Sequence, residues 1–575
     1  MHDLLIRGAT VVDGSGGPRF TADVAIDGDR IADVGRITGP ARREIDADGL
    51  LLTPGWVDIH THYDGQISWS SRVDPSSSLG ATTVVTGNCG VGFAPVRPAE
   101  HDRLIRLMEG VEDIPGAALH EGLSWEWESF ADYMDAVDSR PHDIDVAVQL
   151  PHGALRVYVM GERGAARADA TAAECAAMRA LTADAIRAGA IGFSTTRTMV
   201  HRTADGDLTP TVGAARAEME AIARGIADAG TGVIQWVSDF LDLEAEFALI
   251  EDMTRLSGRP LSFSLVQADV VPQAWRMLLD RTSKSVANGH PIKAQVAGRP
   301  VGLLLGLEGS VNPFASRPSW KAIADRPLAE KVRTLRDPAF RARLLAEDPL
   351  PDHPFVNSVV AMPHRMFRVG ERIDYEPRAD TSIAAEAAAT GRPILDLVYD
   401  ALLEDDGRSF LFFPMHNYAD GDLEPVREMI RHPHTLPGLS DGGAHVGAIC
   451  DVSLPTFMLT HWCRDRTRGP RLDLEEVVRQ QTSATAQAVG FRDRGIVAPG
   501  YLADLNLIDF PNLQLGRPWM AHDLPTGARR LMQGATGYVA TLKSGAPIFE
   551  QGTATDALPG RLVRGATEAP KGTAR

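Results

Sequence analysis

The stretch LLTPGWVDIHTHYDG, Leu51 to Gly65, decides how this chain reads. It is a short apolar run that ends in His60-Thr61-His62 and is followed at once by Tyr63, Asp64 and Gly65. Residues two apart on a strand point to the same face, so the two imidazoles are presented together. A pair of neutral imidazoles on one face suits a divalent metal ion.

Upstream of this stretch, LLIRGATVVDG and DVAIDGDRIADVG alternate apolar and polar residues and break at Gly or Asp-Gly. That pattern predicts hairpins. From about Pro54 the texture changes, and apolar strand candidates alternate with Ala-rich helices. The strands are GWVDIHTH, ATTVVTGNCG, IDVAVQLPHG, AGAIGFSTTR, TGVIQWVSD, RPLSFSLVQ, HPIKAQVAG and LPGLSDGG. Eight strand–helix units predict an α/β fold, a (β/α)8 TIM-like barrel. One connection, 299–435, is long and reads as mostly helical; such an insertion belongs at the barrel mouth and could serve as a lid. The tail returns to strands in RGIVAPGYLADLNLIDF and GYVATLKSGAPIFEQG. We therefore expect 1–53 and 485–575 to build one small β-sandwich, and 54–484 to build the catalytic barrel.

With 575 residues, 44% hydrophobic and 23% charged, the chain can bury a large core. A net charge of −18 argues against nucleic acid or an anionic membrane surface as partner. Four cysteines, Cys89, Cys175, Cys450 and Cys463, are too few for a disulfide framework and fit a reducing compartment. The first residues lack the layout of a signal peptide, and no apolar run is long enough to span a bilayer. The expectation is a cytoplasmic protein acting on a small molecule, with self-association through an exposed sheet edge left open.

Barrel enzymes place their chemistry at the C-terminal ends of the strands, where His60 and His62 fall. Asp441, in PGLSDGGAH, ends the last strand. A carboxylate there can ligate a metal and accept a proton from its bound water. The bland alternative is a turn cap, since Ser-Asp-Gly-Gly is good turn chemistry.

The motifs TPGWVDIHTHYDG, GATTVVTGNCGVG, LSDGG and RGIVAPGYLADLNLID together resemble the amidohydrolase superfamily. More narrowly they are similar to the N-acyl-D-amino-acid deacylase (D-aminoacylase) family, with PHGALR and GAIGFSTTR matching its third and fourth strands. The resemblance implies a metal-dependent hydrolase of an amide. It implies a metal on His60 and His62, Asp441 as ligand and general base, and Cys89 as a thiolate ligand to zinc. Two departures stand out. The family's histidines at the ends of strands five and six are missing: Gln235-Trp236-Val237 and Ser264-Leu265-Val266-Gln267 stand there instead, and the lysine that holds the substrate carboxylate is gone. A single divalent ion, zinc by ligand type, on His60, His62 and Asp441 is the reading that follows. A site remodelled with Cys89 or His445 comes second, and a metal-free barrel third.

His152, His201, His416 and His445 are further histidines placed near the mouth. Arg156, Arg197 and Arg299 each end or follow a strand and could clamp a carboxylate; with Gln235 and His152 they form the candidate substrate-binding set. The function expected is hydrolysis of a C–N bond. The alternatives are a decarboxylase, C–C lyase or isomerase on the same barrel, or an inactive binding scaffold.

Overall fold

The computed structural model describes residues 1–571. All eight anticipated barrel strands form: Trp56–Asp58, Ala81–Thr86, Asp145–Pro151, Gly192–Arg197, Val233–Ser238, Leu261–Leu265, Ile292–Val296 and Thr435–Pro437. They pair in that order and all in parallel. The barrel closes at its C-terminal rim. Thr61 bridges Gly442, the His62 N–H donates to the Gly442 carbonyl at 2.7 Å, and the Asp441 N–H donates to the His60 carbonyl at 3.2 Å. Closure by these hydrogen bonds is what sets Asp441 beside the two histidines.

The strands are apolar because helices cover them outside and side chains fill them inside. Phe193, Trp236 and Phe263 are fully buried. Local signals start and stop the covering helices. Ala172–Ala188 opens with a reciprocal Thr171–Glu174 capping box and ends at Gly189 in the left-handed region. Leu243–Ser257 is capped by Asp242 and ends at Gly258 in the same way.

The two chain ends meet in one nine-stranded sheet. Leu51–Pro54 lies parallel to His2–Val11 and antiparallel to Leu505–Ile508, which pairs onward with Tyr538–Lys543. Its apolar face gathers Ile6, Val24, Leu52, Leu505 and Leu542 into a core of its own. A buried ion cluster ties this sheet to the barrel: Arg494 and Lys543 approach Asp145 of the third barrel strand at 2.7 and 3.1 Å.

Two expectations need correction. The segment between Gln514 and Thr536 does not join the sheet. It forms two small antiparallel pairs, Gln514–Leu515 with Ala535–Thr536 and Trp519–Leu524 with Ala528–Met532. The second pair reaches the barrel mouth, where the Leu531 N–H donates to the Val446 carbonyl at 2.6 Å. The insertion is not only helical. Val301–Leu305, Phe367–Arg368 and Leu411–His416 form a three-stranded antiparallel sheet, and the insertion's helices pack on it through Leu303, Leu305, Leu411 and Phe413. These strands are short apolar runs, and periodicity alone cannot tell such runs from buried helix.

Candidate active site

The first barrel strand delivers His60 and His62 to the rim, both buried. Cys89 comes from the loop after the second strand. Gly87 starts that loop at φ +77°, where a Cβ would lie 2.3 Å from the Gln149 carbonyl oxygen, so only glycine makes the turn. Cys89 itself has φ 54°, Asp441 48° and His445 50°. Non-glycine residues held there carry backbone strain, which clusters at functional sites. The result is a tight group. One ligand atom from each of His60, His62 and Cys89 lies within 4.8 Å of the others. His60 Nε2 is 3.3 Å from Cys89 Sγ and 3.5 Å from Asp441 Oδ1, and His62 Nε2 is 4.0 Å from the same oxygen.

The surroundings fix these side chains. His60 Nδ1 is 2.7 Å from Gln295 Oε1, so it carries the proton and donates it, leaving the Nε2 lone pair free. Gln295 is held by Ser262 Oγ at 2.8 Å. Gln235 accepts the Cys89 N–H at 2.9 Å. His62 Nδ1 faces Glu112 Oε1 at 3.2 Å.

Burial dominates the electrostatics. It lowers His60 and His445 to about 4, His201 to about 3, and His62 well below its ordinary value. These imidazoles are neutral at pH 7. Burial raises Asp441, Asp58 and Asp64 to about 7. It pushes the Cys89 thiol well up, with the charges of Glu112, Asp441 and Asp64 adding to the effect. Several carboxyls therefore face each other with no lysine or arginine among them. Asp441 Oδ1, His62 Nδ1 and both Glu112 oxygens are buried without a hydrogen-bond partner. Unpaired acceptors and neutral imidazoles aimed at one spot are what a bound cation satisfies.

The remaining candidates fall elsewhere. His152 and Arg156 both turn to the buried Glu218, His152 at 2.8 Å, and His152 also meets Thr195 Oγ1 at 2.8 Å. Arg197 pairs with Glu246 at 3.0 Å and donates to the Ala214 carbonyl. Arg299 donates to the Cys450 carbonyl at 2.6 Å, to Ser453 Oγ and to Asp451. All four are engaged with protein groups, although Nε of Arg156 and of Arg299 has no hydrogen-bond partner, and none lines the cavity over Asp441. Gln235 sits under Cys89 and holds its loop. His445 lies on the rim beside Glu112, Nε2 to Oε2 3.7 Å. His416 ends a strand of the insertion.

Sequence reasoning missed Glu112, Gln295 and the Gln66–Arg530 wall. Glu112 did carry a signal. In helix His101–Glu112 it follows Leu104 and Met108 at four-residue steps, a charge on an apolar stripe. Gln295 is likewise a polar residue inside an apolar strand. Arg530 carried none, because it comes from the C-terminal pair; it is braced by Asp523 at 2.7 Å and lines the cavity with Gln66, Trp69 and Leu531. That cavity is about 30 Å³, space for roughly one water.

A closed parallel barrel with two histidines, a thiol and a carboxylate gathered on its C-terminal rim is the frame of a hydrolytic barrel enzyme. The amidohydrolase family model matches residues 43–549. The chain belongs to the amidohydrolase family and is a hydrolase of C–N bonds other than peptide bonds. It is 28% identical over 570 residues to a D-aminoacylase of Alcaligenes xylosoxydans xylosoxydans, covering 98% of this chain and 97% of the relative. An N-acyl-D-aspartate deacylase of the same organism is 40% identical over 194 residues, 34% of this chain and 36% of that one. Among solved structures, an N-acyl-D-glutamate deacylase from Bordetella bronchiseptica, complexed with zinc and a phosphonate inhibitor, superposes with a TM-score of 0.63. That match covers 98% of this chain and 99% of the other at 22% identity, and it supports the barrel fold. Membership favours the amide hydrolase over the lyase, isomerase and scaffold alternatives. No helix among the described residues is long and apolar enough to cross a membrane.

Proposed function

We propose that this chain removes the acyl group from an N-acylated amino acid, using one divalent ion, zinc by ligand chemistry, held by His60, His62, Cys89 and Asp441. The single observation that carries the reading is the convergence of His60 Nε2, Cys89 Sγ and Asp441 Oδ1 within 3.3–3.5 Å of the shared imidazole nitrogen, with the carboxylate oxygen left unpaired. Thiolate, imidazole and carboxylate together are zinc-type donors. When bound, the ion lowers the pKa of a ligated water and polarises the scissile carbonyl.

The chain's own residues do the rest. Gln295 keeps the His60 proton on Nδ1, and Gln235 holds the Cys89 loop. Asp441 keeps 15% of its side chain exposed toward the cavity. From there it accepts a proton from the attacking water and delivers it to the leaving nitrogen. A cavity of about 30 Å³ cannot hold an acylated amino acid, so the roof must part on substrate entry. That roof comprises the loop after the eighth strand, the C-terminal Trp519–Met532 pair and the insertion behind them, which acts as the lid.

The reading also places the enzyme in the cytoplasm, and self-association through a free sheet edge is part of the proposal. The test is turnover of N-acyl amino acids in ¹⁸O-water. Label in the released carboxylate, abolished by chelation and restored by zinc, supports the reading. Turnover indifferent to chelators sinks it.

A further inference from the structure

A larger cavity lies at the opposite end of the barrel from the rim. It measures about 340 Å³ and is lined by Val233, Leu261 and Ile292, the first residues of strands five, six and seven. Barrels of this kind are ordinarily filled by layers of bulky branched side chains. Here Ser262 accepts the Gln295 Nε2 proton at 2.8 Å, so it points inward, and it is too small to fill the space. The walls are otherwise apolar, with Ile234 and Leu436 beside Leu261 and Ile292, and helix Thr485–Ala488 lines one side through Ala488. The inner end is polar and incompletely bonded. Gln149 gives Nε2 to Asn88 Oδ1 at 2.8 Å, and Gln235 gives Oε1 to the Cys89 N–H at 2.9 Å. Gln149 Oε1 and Gln235 Nε2 are buried with no partner. The outer end is cationic, with Lys293, His434 and Arg479 half-buried around it. Arg479 is paired with Glu476 at 2.6 Å. Among the described residues no carboxylate pairs with Lys293, and burial, then the like charge of Arg479, lower its ammonium from the ordinary value. A half-buried ammonium without a counter-charge, on the wall of a cavity, is what a bound anion satisfies.

We infer that this chamber is a binding site for a small amphipathic carboxylate, with the carboxylate on Lys293 at the mouth and the apolar body against Ile234, Leu261, Ile292 and Leu436. A carboxamide or hydroxyl at the inner end of such a molecule meets one free acceptor and one free donor, Gln149 Oε1 and Gln235 Nε2. The volume falls within the range of small-molecule sites, about 300–1,000 Å³. The chamber is separate from the catalytic rim, and Gln235 and Gln295 form the partition. Each gives its Oε1 to the rim, on the Cys89 N–H and on His60 Nδ1, while its side chain also lines the chamber. Binding here therefore needs neither Asp441 nor a metal ion.

The test is calorimetric titration of the full-length protein with hexanoate, and with hexanamide as the uncharged control. Wild type binds hexanoate saturably and hexanamide about tenfold more weakly or worse, the worth of one charge-assisted hydrogen bond. Lys293→Met weakens hexanoate by the same factor and leaves hexanamide unchanged. Ala488→Phe, which fills the chamber from its helix, abolishes binding of both. Wild type that takes up no hexanoate at millimolar concentration, with water alone in the chamber of soaked crystals, overturns the site. Hexanoate held at the catalytic rim instead is indifferent to Lys293→Met and Ala488→Phe, and that result overturns it too. Lys293 is half-buried and free of ion pairs, so its variant carries the test if Ala488→Phe does not fold by circular dichroism.

Discussion

Replacing Gln295 by methionine removes the oxygen that accepts the His60 Nδ1 proton, together with the amide nitrogen that donates to Ser262 Oγ. The bond is 2.7 Å long and buried. Two effects follow. A buried imidazole N–H left without an acceptor costs about 1–3 kcal/mol. The ring is then free to exchange tautomers and to rotate, and losing such an outer partner weakens metal binding about 10–100-fold. That range corresponds to about 1.4–2.8 kcal/mol, in line with the hydrogen-bond figure. Gln295→Glu has the opposite sign, because a carboxylate in that place keeps the proton on Nδ1 and makes Nε2 a better donor. The assay is competition for zinc against a chromophoric chelator at pH 7.5, with urea midpoints run in parallel. If Gln295→Met binds zinc within twofold of wild type while folded, His60 does not ligate through Nε2 and the cradle is wrongly drawn.

Three further outcomes are expected. Asp441→Asn keeps the fold but lowers kcat by about 10²–10⁴ on an N-acyl amino acid, the usual worth of a general base, and a loss under tenfold contradicts the role. Arg494→Met leaves Asp145 with Lys543 as its one buried cation and costs about 3 kcal/mol in urea unfolding; a change below about 1 kcal/mol shows the cluster is not what joins sheet to barrel. Glu376 is raised by burial, but hydrogen bonds from His461 and Arg466 outweigh this and hold it at about 2, against an ordinary 4.5. Its pKa is depressed on folding, so its contribution is complete above about pH 5 and is lost as pH falls toward 2. The full loss is on the order of 3 kcal/mol. Glu376→Gln should be less stable at pH 7 and should unfold over a flatter acid limb; an unchanged profile of stability against pH refutes this.

Most of the barrel was legible because parallel strands buried on both faces read as continuous apolar runs between Ala-rich helices. His60, His62 and Asp441 were legible for a related reason, since each ends such a run. What was hidden is convergence. Gln295 meets His60 across 235 positions and Arg530 reaches Gln66 across 464, and no local pattern announces either contact. The strand-end arginines misled because sequence does not say which carboxylate a buried guanidinium finds. Glu218, Glu246 and Asp451 sit on neighbouring elements and took Arg156, Arg197 and Arg299 away from the cavity. The insertion's sheet was obscured because Leu303 to Leu305 and Phe410 to Phe413 could equally be buried helix.

The most direct measurement is an anomalous difference map at the zinc edge from crystals grown with zinc. The account predicts a peak within bonding distance of His60 Nε2, Cys89 Sγ and an Asp441 oxygen. A rim with no anomalous peak, or a peak that leaves both imidazoles unengaged, contradicts it.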